Sequence, residues 1–293
     1  MARYGTVAIV GVGLIGGSIG LALRRRGLAE HVVGIGRRQS SLDKALAFET
    51  VDSVSLDLAE GVKGAEITVI CTPVARIAQD VLTTAANCPT DALITDAGSI
   101  KGQIVDELAA ATAQPECKGV KRLEKNEVHF IGSHPLAGGE KTGPQAARED
   151  LFDGRVTIVT PTEANRSTET KRVSLFWQDL GSRVVCMSPE EHDAAVATVS
   201  HVPHVAASAL AASTPKASLD LIGTGWLGTT RIAGGDVELW RQILTGNRQQ
   251  VLSALAEYEA ALAEFRTAIA NENDEQLVEL LQAGKDRRDA VGS

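Results

Sequence analysis

The chain has 293 residues, 44% of them apolar and 23% charged, with a net charge of −8. That balance suits a soluble globular protein of two domains or one large one, and it lacks the basic footprint of a general nucleic-acid binder. With aromatics at only 3%, the core must be built from Ala, Val, Leu and Ile.

In chain order, MARYGTVAIV has no basic segment ahead of a cleavable apolar stretch, so no signal peptide is expected. TVAIVGVG is a β-branched run that stops at glycine. GGSIGLALRRRG has helical spacing, with basic residues in its last turn and Gly27 beyond them, the signature of a helix end. HVVGIG predicts a second strand, SLDKALAFET a helix and EITVICTP a third strand. ARIAQDVLTTAA is helical, ALITDAGS a fourth strand, IKGQIVDELAAAT a helix and EVHFIGSHP a fifth strand. Strands alternating with helices predict an α/β domain with a parallel sheet covered on both faces. Two later strands, GRVTIVTP and SRVVCMSP, flank the helix TETKRVSLFWQDLG.

After Pro189 every periodic segment is helical, so the division is expected at Ser188, into residues 1–188 and an all-helical 189–293. The helical part carries more Ala and Leu than one exposed bundle needs, which points to a homodimer packed through it. Cys71, Cys88, Cys117 and Cys186 are widely spaced with no CxxC, which reads as thiols in a reducing compartment. A cytoplasmic protein with no membrane or nucleic-acid partner is the expectation.

Gly11, Gly13 and Gly16 form a GxGxxG that closes the first strand and opens the first helix. In that context the glycines permit a tight turn, close approach of backbone to a pyrophosphate, and close helix–strand packing. The helix N-terminus supplies unpaired N–H groups to the anion, here those of Leu14 and Ile15. An NAD site usually has an acid at the end of the second strand for the ribose 2′-hydroxyl. This chain has Arg37, Arg38, Gln39, Ser40 and Ser41 instead. Arginine suits bidentate phosphate binding, so NADP is expected, with NAD still open and a merely solvated turn as the bland alternative.

Ligands of open α/β sheets bind beyond the carboxyl ends of the strands. CTPV (residues 71–74, with Thr72, Pro73 and Val74), DAGSIK (96–101) and SHPLAGGEK (133–141) lie at such ends, so Thr72, Ser99 and His134 are expected to converge. SHVPH places His201 and His204 in the helical part, with His201 read as structural. Zinc on His134, His201 and His204 lacks an acid or thiol partner at ligand spacing, so no metal is expected. His31 and His192 carry no signal, and Lys101 and Lys141 read as solvated.

GVGLIGGSIGLAL, CTPV, DAGSIK, SHPLAGGEKTG, SHVPH and TTRIA…LWRQI occur in the order seen in the prephenate/arogenate dehydrogenases of tyrosine biosynthesis, and the chain resembles that family from Val7 to about Ala283. The resemblance implies a Rossmann-type N-terminal domain, an all-α C-terminal dimerisation domain, and oxidative decarboxylation of a cyclohexadienol acid with hydride transfer to NAD(P). It assigns His134 as the catalytic histidine and Ser99 as the hydrogen-bond partner of the substrate hydroxyl. It assigns His204 and Arg231 to substrate, Arg231 to a carboxylate. Glu140 becomes an acid at the site entrance, and Trp240 a substrate-side tryptophan from the partner subunit. Many members have Arg and Asp just before the arginine, where this chain has Leu227 and Gly228. Two competing readings are another NADP-linked reductase of the same plan, acting on an imine or β-hydroxy acid, and a non-catalytic NADP-binding protein. Retention of His134, Ser99 and Arg231 together favours the dehydrogenase.

Overall fold

The computed structural model describes residues 2–113, 116–139 and 141–292. Contacts divide the chain into two compact units, Met1–Ala195 with Gly235–Asn247, and Val196–Gly234 with Arg248–Ser293.

The first unit is built on a six-stranded parallel sheet. Its strands are β1 (Tyr4–Val10), β2 (Ala29–Ile35), β3 (Ser53–Ser55), β4 (Ile67–Ile70), β5 (Leu93–Asp96) and β6 (His129–Phe130), in the spatial order β3-β2-β1-β4-β5-β6. Successive side chains of a strand face opposite ways. Val7 and Ile9 of β1 accordingly join one apolar cluster, with Ile19, Leu23 and Trp177, while Ala8 and Val10 join another, with Ile70, Val81 and Ile94. Both faces are covered by helices, as a parallel sheet requires. The helices that matter here are α1 (Leu14–Arg25), α2 (Gln39–Ala47), the short α3 (Leu58–Gly61), α4 (Val74–Asn87), α5 (Gly102–Ala111) and α6 (Lys118–Glu124). The strand order reverses direction between β1 and β4, the switch point where such sheets bind ligands.

The expected fifth strand is two strands. β6 ends the parallel sheet, and the Ile131 amide donates to the Ile94 carbonyl at 3.0 Å. The chain then enters β7 (Gly132–Pro135), which pairs antiparallel with β8 (Val156–Thr160); β8 runs parallel to β9 (Arg183–Cys186), and α7 (Ser167–Asp179) joins the two. The crossing is tight. A Cβ on Gly132 would sit 2.6 Å from Thr160 Oγ1.

Past β9, α8 (Pro189–Val196) leads into a π-helical turn, Ala197–His201. The second unit contains that turn, α9 (Val202–Ser213), α10 (Thr224–Thr230) and, following α11 (Val237–Gly246) in the chain, two long helices: α12 (Arg248–Ala270) and α13 (Asp274–Ala290). Two helices meet at Asn247, where the chain passes from one unit to the other: α11 belongs to the first unit and α12 to the second. Asn247 is buried, and its amide donates to the Asp193 carbonyl at 2.7 Å. Leu221, Leu252, Leu262, Ile269 and Leu281 of the second unit are exposed.

Candidate active site

The three glycines of the loop stand in three different local settings. Gly11 has φ 99°, and a Cβ there would lie 2.6 Å from the Cys71 carbonyl oxygen, so only glycine lets β1 and β4 close at their ends. Gly13 caps α1 with open space around its Cβ position. Gly16 packs the helix on the strand; a Cβ would sit 2.1 Å from the Gly11 oxygen. Beside this loop lies a cavity of about 540 Å³, lined by Gly11, Gly13, Arg37, Arg38, Ser41, Thr72 and Pro73 and closed by residues 142–145. Leu14, Ile15, Gly16 and Val74 do not line it. Leu14 and Ile15 pack against the core cluster, and Val74 is buried against Ile100 and Ile243. What Leu14 and Ile15 offer a ligand is the N–H groups of the helix's first turn.

Two cavity residues, Arg76 and Asp80, carried no expectation from the sequence. Asp80 of α4 is buried and accepts hydrogen bonds from Thr72 Oγ1 at 2.7 Å and from Arg76 at 2.9 Å. It therefore fixes both side chains at the rim. The signal was present as an Arg–Asp pair four apart on the helix after CTPV. A second cavity of about 430 Å³, against α5, α6 and β6, has mainly apolar walls and contains none of the expected site residues.

On β7, alternation turns Ser133 inward. Ser133 Oγ takes the Trp177 indole N–H at 2.9 Å and lies 2.8 Å from Thr95 Oγ1. Lys101 is buried, not solvated. Its ammonium pairs with Asp96 and donates to the Ser133 carbonyl at 2.8 Å, while the Ser133 amide donates to Asp96 at 3.0 Å. These bonds fasten the loop bearing half-buried Ser99 to the strand bearing His134. His134 is also half-buried, and its Nδ1 lies 2.9 Å from Nε2 of His192 on α8. His192, which carried no sequence signal, is fully buried, and its Nδ1 lies 2.8 Å from Asp193 Oδ1. Asp193 also accepts the backbone N–H groups of Lys101 and Gly102, each at 2.8 Å, at the start of α5. Burial pushes the His192 pKa down. Burial also opposes ionisation of Asp193, but the hydrogen bonds from His192, Gly102 and Lys101 outweigh it and hold that carboxyl below its ordinary range.

Known proteins match both parts of the chain. Residues 19–186 match the model for the prephenate dehydrogenase nucleotide-binding domain, and residues 188–283 the model for the prephenate dehydrogenase dimerization domain. The chain belongs to the prephenate dehydrogenase family. Prephenate dehydrogenase of Bacillus subtilis is 30% identical over 98% of this chain and 76% of its own length. Among solved structures, Aquifex aeolicus prephenate dehydrogenase in complex with hydroxyphenyl propionate and NAD+ superposes with TM-score 0.86 at 31% identity, covering 99% of this chain and 98% of that one. Synechocystis arogenate dehydrogenase superposes with TM-score 0.80 at 30% identity, covering 98% and 99%.

The protein is thus an NAD(P)-dependent oxidoreductase with a nucleotide-binding domain and a helical dimerization domain. The cavity beside the glycine loop, Ser99, His134 and Trp240 all belong to the first compact unit. Trp240 packs on Val74, Ile100 and Ile243. His204, His201 and Arg231 belong to the second unit: both histidines are buried, and Arg231 is exposed at the turn following α10. Burial pushes the His204 pKa down. Leu227, in place of the family's usual residue, is exposed on α10 beside Gly228. Glu140 lies outside the described residues.

Proposed function

We propose that the protein oxidises and decarboxylates prephenate, or both prephenate and arogenate, giving 4-hydroxyphenylpyruvate or tyrosine, and that NADP is its preferred cofactor. The observation that carries the reading is His134, seated on β7 and hydrogen-bonded to a buried histidine, within a chain that matches both domains of the family over nearly its whole length.

The cofactor fits the residues present. Gly11 and Gly13 leave the loop without side chains where backbone must approach a pyrophosphate, and Gly13 has nothing within 4 Å of its Cβ position. The nicotinamide supplies the hydride acceptor. Arg37, Arg38 and Ser41 at the end of β2 suit a 2′-phosphate. As the ring carbon loses hydride, its hydroxyl must lose a proton and carbonyl character develops. His134 accepts that proton, and Ser99 hydrogen-bonds the same hydroxyl. The ring carboxylate then leaves as CO2 and aromatisation drives the sequence forward. Arg231 holds a substrate carboxylate, and His204 and Trp240 contact the substrate, with Glu140 the acid that the family resemblance assigns to substrate binding. The exposed apolar side chains of the helical unit form the homodimer contact, and the protein acts in the cytoplasm.

The deciding experiment is NADH and NADPH formation with each substrate paired with each cofactor. Turnover of prephenate with NADP above the other pairs is expected; no turnover of either acid removes the proposal. Two variants refine it. Charge-assisted hydrogen bonds contribute about 1.5–3 kcal/mol, so Arg37→Ala with Arg38→Ala should weaken NADP about 10- to 100-fold and NAD far less. Equal losses for both cofactors contradict the assignment. Arg231→Ala should raise substrate KM by a similar factor without changing cofactor KM, and an effect on cofactor KM alone refutes its role.

A further inference from the structure

We infer that His192 and Asp193 are positioning residues that fix the tautomer of His134, so that its Nε2 is the nitrogen presented as the base. The inference rests on the reading of His134 as the proton acceptor and adds the device that makes it one.

The argument starts at the buried end of the chain of bonds. Asp193 receives two backbone N–H groups at the start of α5 in addition to the His192 contact. An ionised carboxylate only accepts, so the His192 Nδ1 must carry the hydrogen toward it. A neutral imidazole has one N–H, and His192 is fully buried with its pKa pushed down. Its Nε2 is therefore an acceptor. The 2.9 Å contact then requires His134 to donate from Nδ1. In neutral His134 the lone pair is left on Nε2, the nitrogen able to take a proton. The two rings meet edge to face, 69° apart with centroids at 5.1 Å, so the bond also sets the plane of the His134 ring.

When His134 becomes a cation, the oriented His192 ring passes the influence of the Asp193 anion to it. The logic is that of a carboxylate orienting a catalytic imidazole, with one more imidazole interposed. The charged groups around His192 are Asp193 and Asp96, which favour nearby positive charge, and Lys101, which opposes it. Asp96 and Lys101 pair with each other, which leaves Asp193 as the anion hydrogen-bonded to His192.

The test uses the full-length enzyme with its cofactor and compares pH profiles of kcat/KM. Neutral His134 is the active form, so its pKa sets the acid limb. Asp193→Asn should lower kcat about 10- to 100-fold, as loss of an orienting partner does, and shift the acid limb to lower pH by about one unit, because the imidazolium has lost a stabilising anion. A purely structural role predicts a loss that is uniform with pH, and an unmoved limb overturns the inference.

Since Asp193 also caps α5, a second pair of variants separates folding from tautomer control. Gln places a carbonyl oxygen where His192 Nε2 stands, so His192→Gln should keep most activity, whereas His192→Leu should lose about as much as Asp193→Asn. Equal activity in the two variants overturns the inference. Imidazole 15N shifts of histidine-labelled enzyme give a direct reading: His134 should be the Nδ1–H tautomer near neutral pH in the wild type, and an Nε2–H form refutes it. His134→Asn assayed alongside tests the underlying reading on its own. If it is fully active, the base assignment fails; if it is inactive while His192→Leu is unaffected, only the relay fails.

Discussion

Replacing His134 with asparagine should lower turnover about 10²–10⁴-fold, the usual contribution of a general base, while leaving NADP affinity near that of the wild type. The substitution is chosen for what it preserves. An asparagine amide places its NH2 near the position of the histidine Nδ1, so it can still donate to His192 Nε2, 2.9 Å away from that nitrogen in the native enzyme. The buried His192 therefore keeps its partner, and β7 keeps its register of His134 against Ile158. What disappears is Nε2, and with it the proposed proton acceptor. The cofactor cavity draws its lining from the glycine loop, the ends of β2 and β4 and residues 142–145, none of which depends on the lost atom. Steady-state kinetics with saturating cofactor, together with a fluorescence titration of NADP, separate the two effects. A variant within about twofold of wild-type kcat would show that His134 is not the base. A parallel collapse of NADP affinity would show that the residue is structural.

The sequence showed what local pattern can carry. The β-branched run ending in GxGxxG located β1, the glycine turn and α1, because the strand run, the turn and the helical spacing all lie within one short stretch of chain. The alternation of apolar runs and helical spacing announced the parallel sheet, and the absence of strand periodicity after Pro189 announced the helical unit. What stayed hidden depends on partners far along the chain. The apolar run VHFI gives no sign that the chain changes sheets at Ile131, since β6 and β7 differ only in which strand accepts them. Lys101 looks solvated beside Ser99, yet its ammonium is buried by Asp96 and by Ser133, 32 residues away. His192 follows two glutamates at a helix start and gives no periodic signal; its meaning comes from His134, 58 residues earlier. The break at Asn247 is similar. Helical spacing runs through it without interruption, and contacts far along the chain hold α11 in the first unit: Ile243 and Trp240 against Val74 and Ile100, and the buried bond from Asn247 to the Asp193 carbonyl. Of the expected site, the motif residues His134 and Ser99 stand on segments tied together by this hidden framework, which the motifs themselves do not reveal.

The same framework supports a large predicted loss of stability. Asp96→Asn should destabilise the first unit by about 3–5 kcal/mol near neutral pH, because removing one partner of a buried ion pair leaves the other charge uncompensated. The substitution changes almost no volume, so cavity formation does not contribute. The introduced amide retains an oxygen for the Ser133 N–H, which lies 3.0 Å from the native carboxylate, or for the Gly98 N–H at 2.8 Å. It cannot offset the Lys101 charge, which is buried with a side-chain exposure of 2%. Burial already pushes the Lys101 pKa down, against the attraction of Asp96 and Asp193, and losing Asp96 lets burial act with less opposition. The sign of the pH dependence follows. A lysine whose pKa is lower folded than unfolded binds more protons in the unfolded chain across the interval between the two values, so stability rises with pH there. The variant should therefore recover part of its deficit as pH approaches about 10, where the unfolded lysine begins to lose its proton. Urea denaturation near neutral pH and at about pH 10 measures both quantities, with the wild type as reference. A loss below about 1 kcal/mol would mean the pair contributes no more than an exposed one. A deficit that is the same at both pH values would mean that Lys101 is not the group left uncompensated.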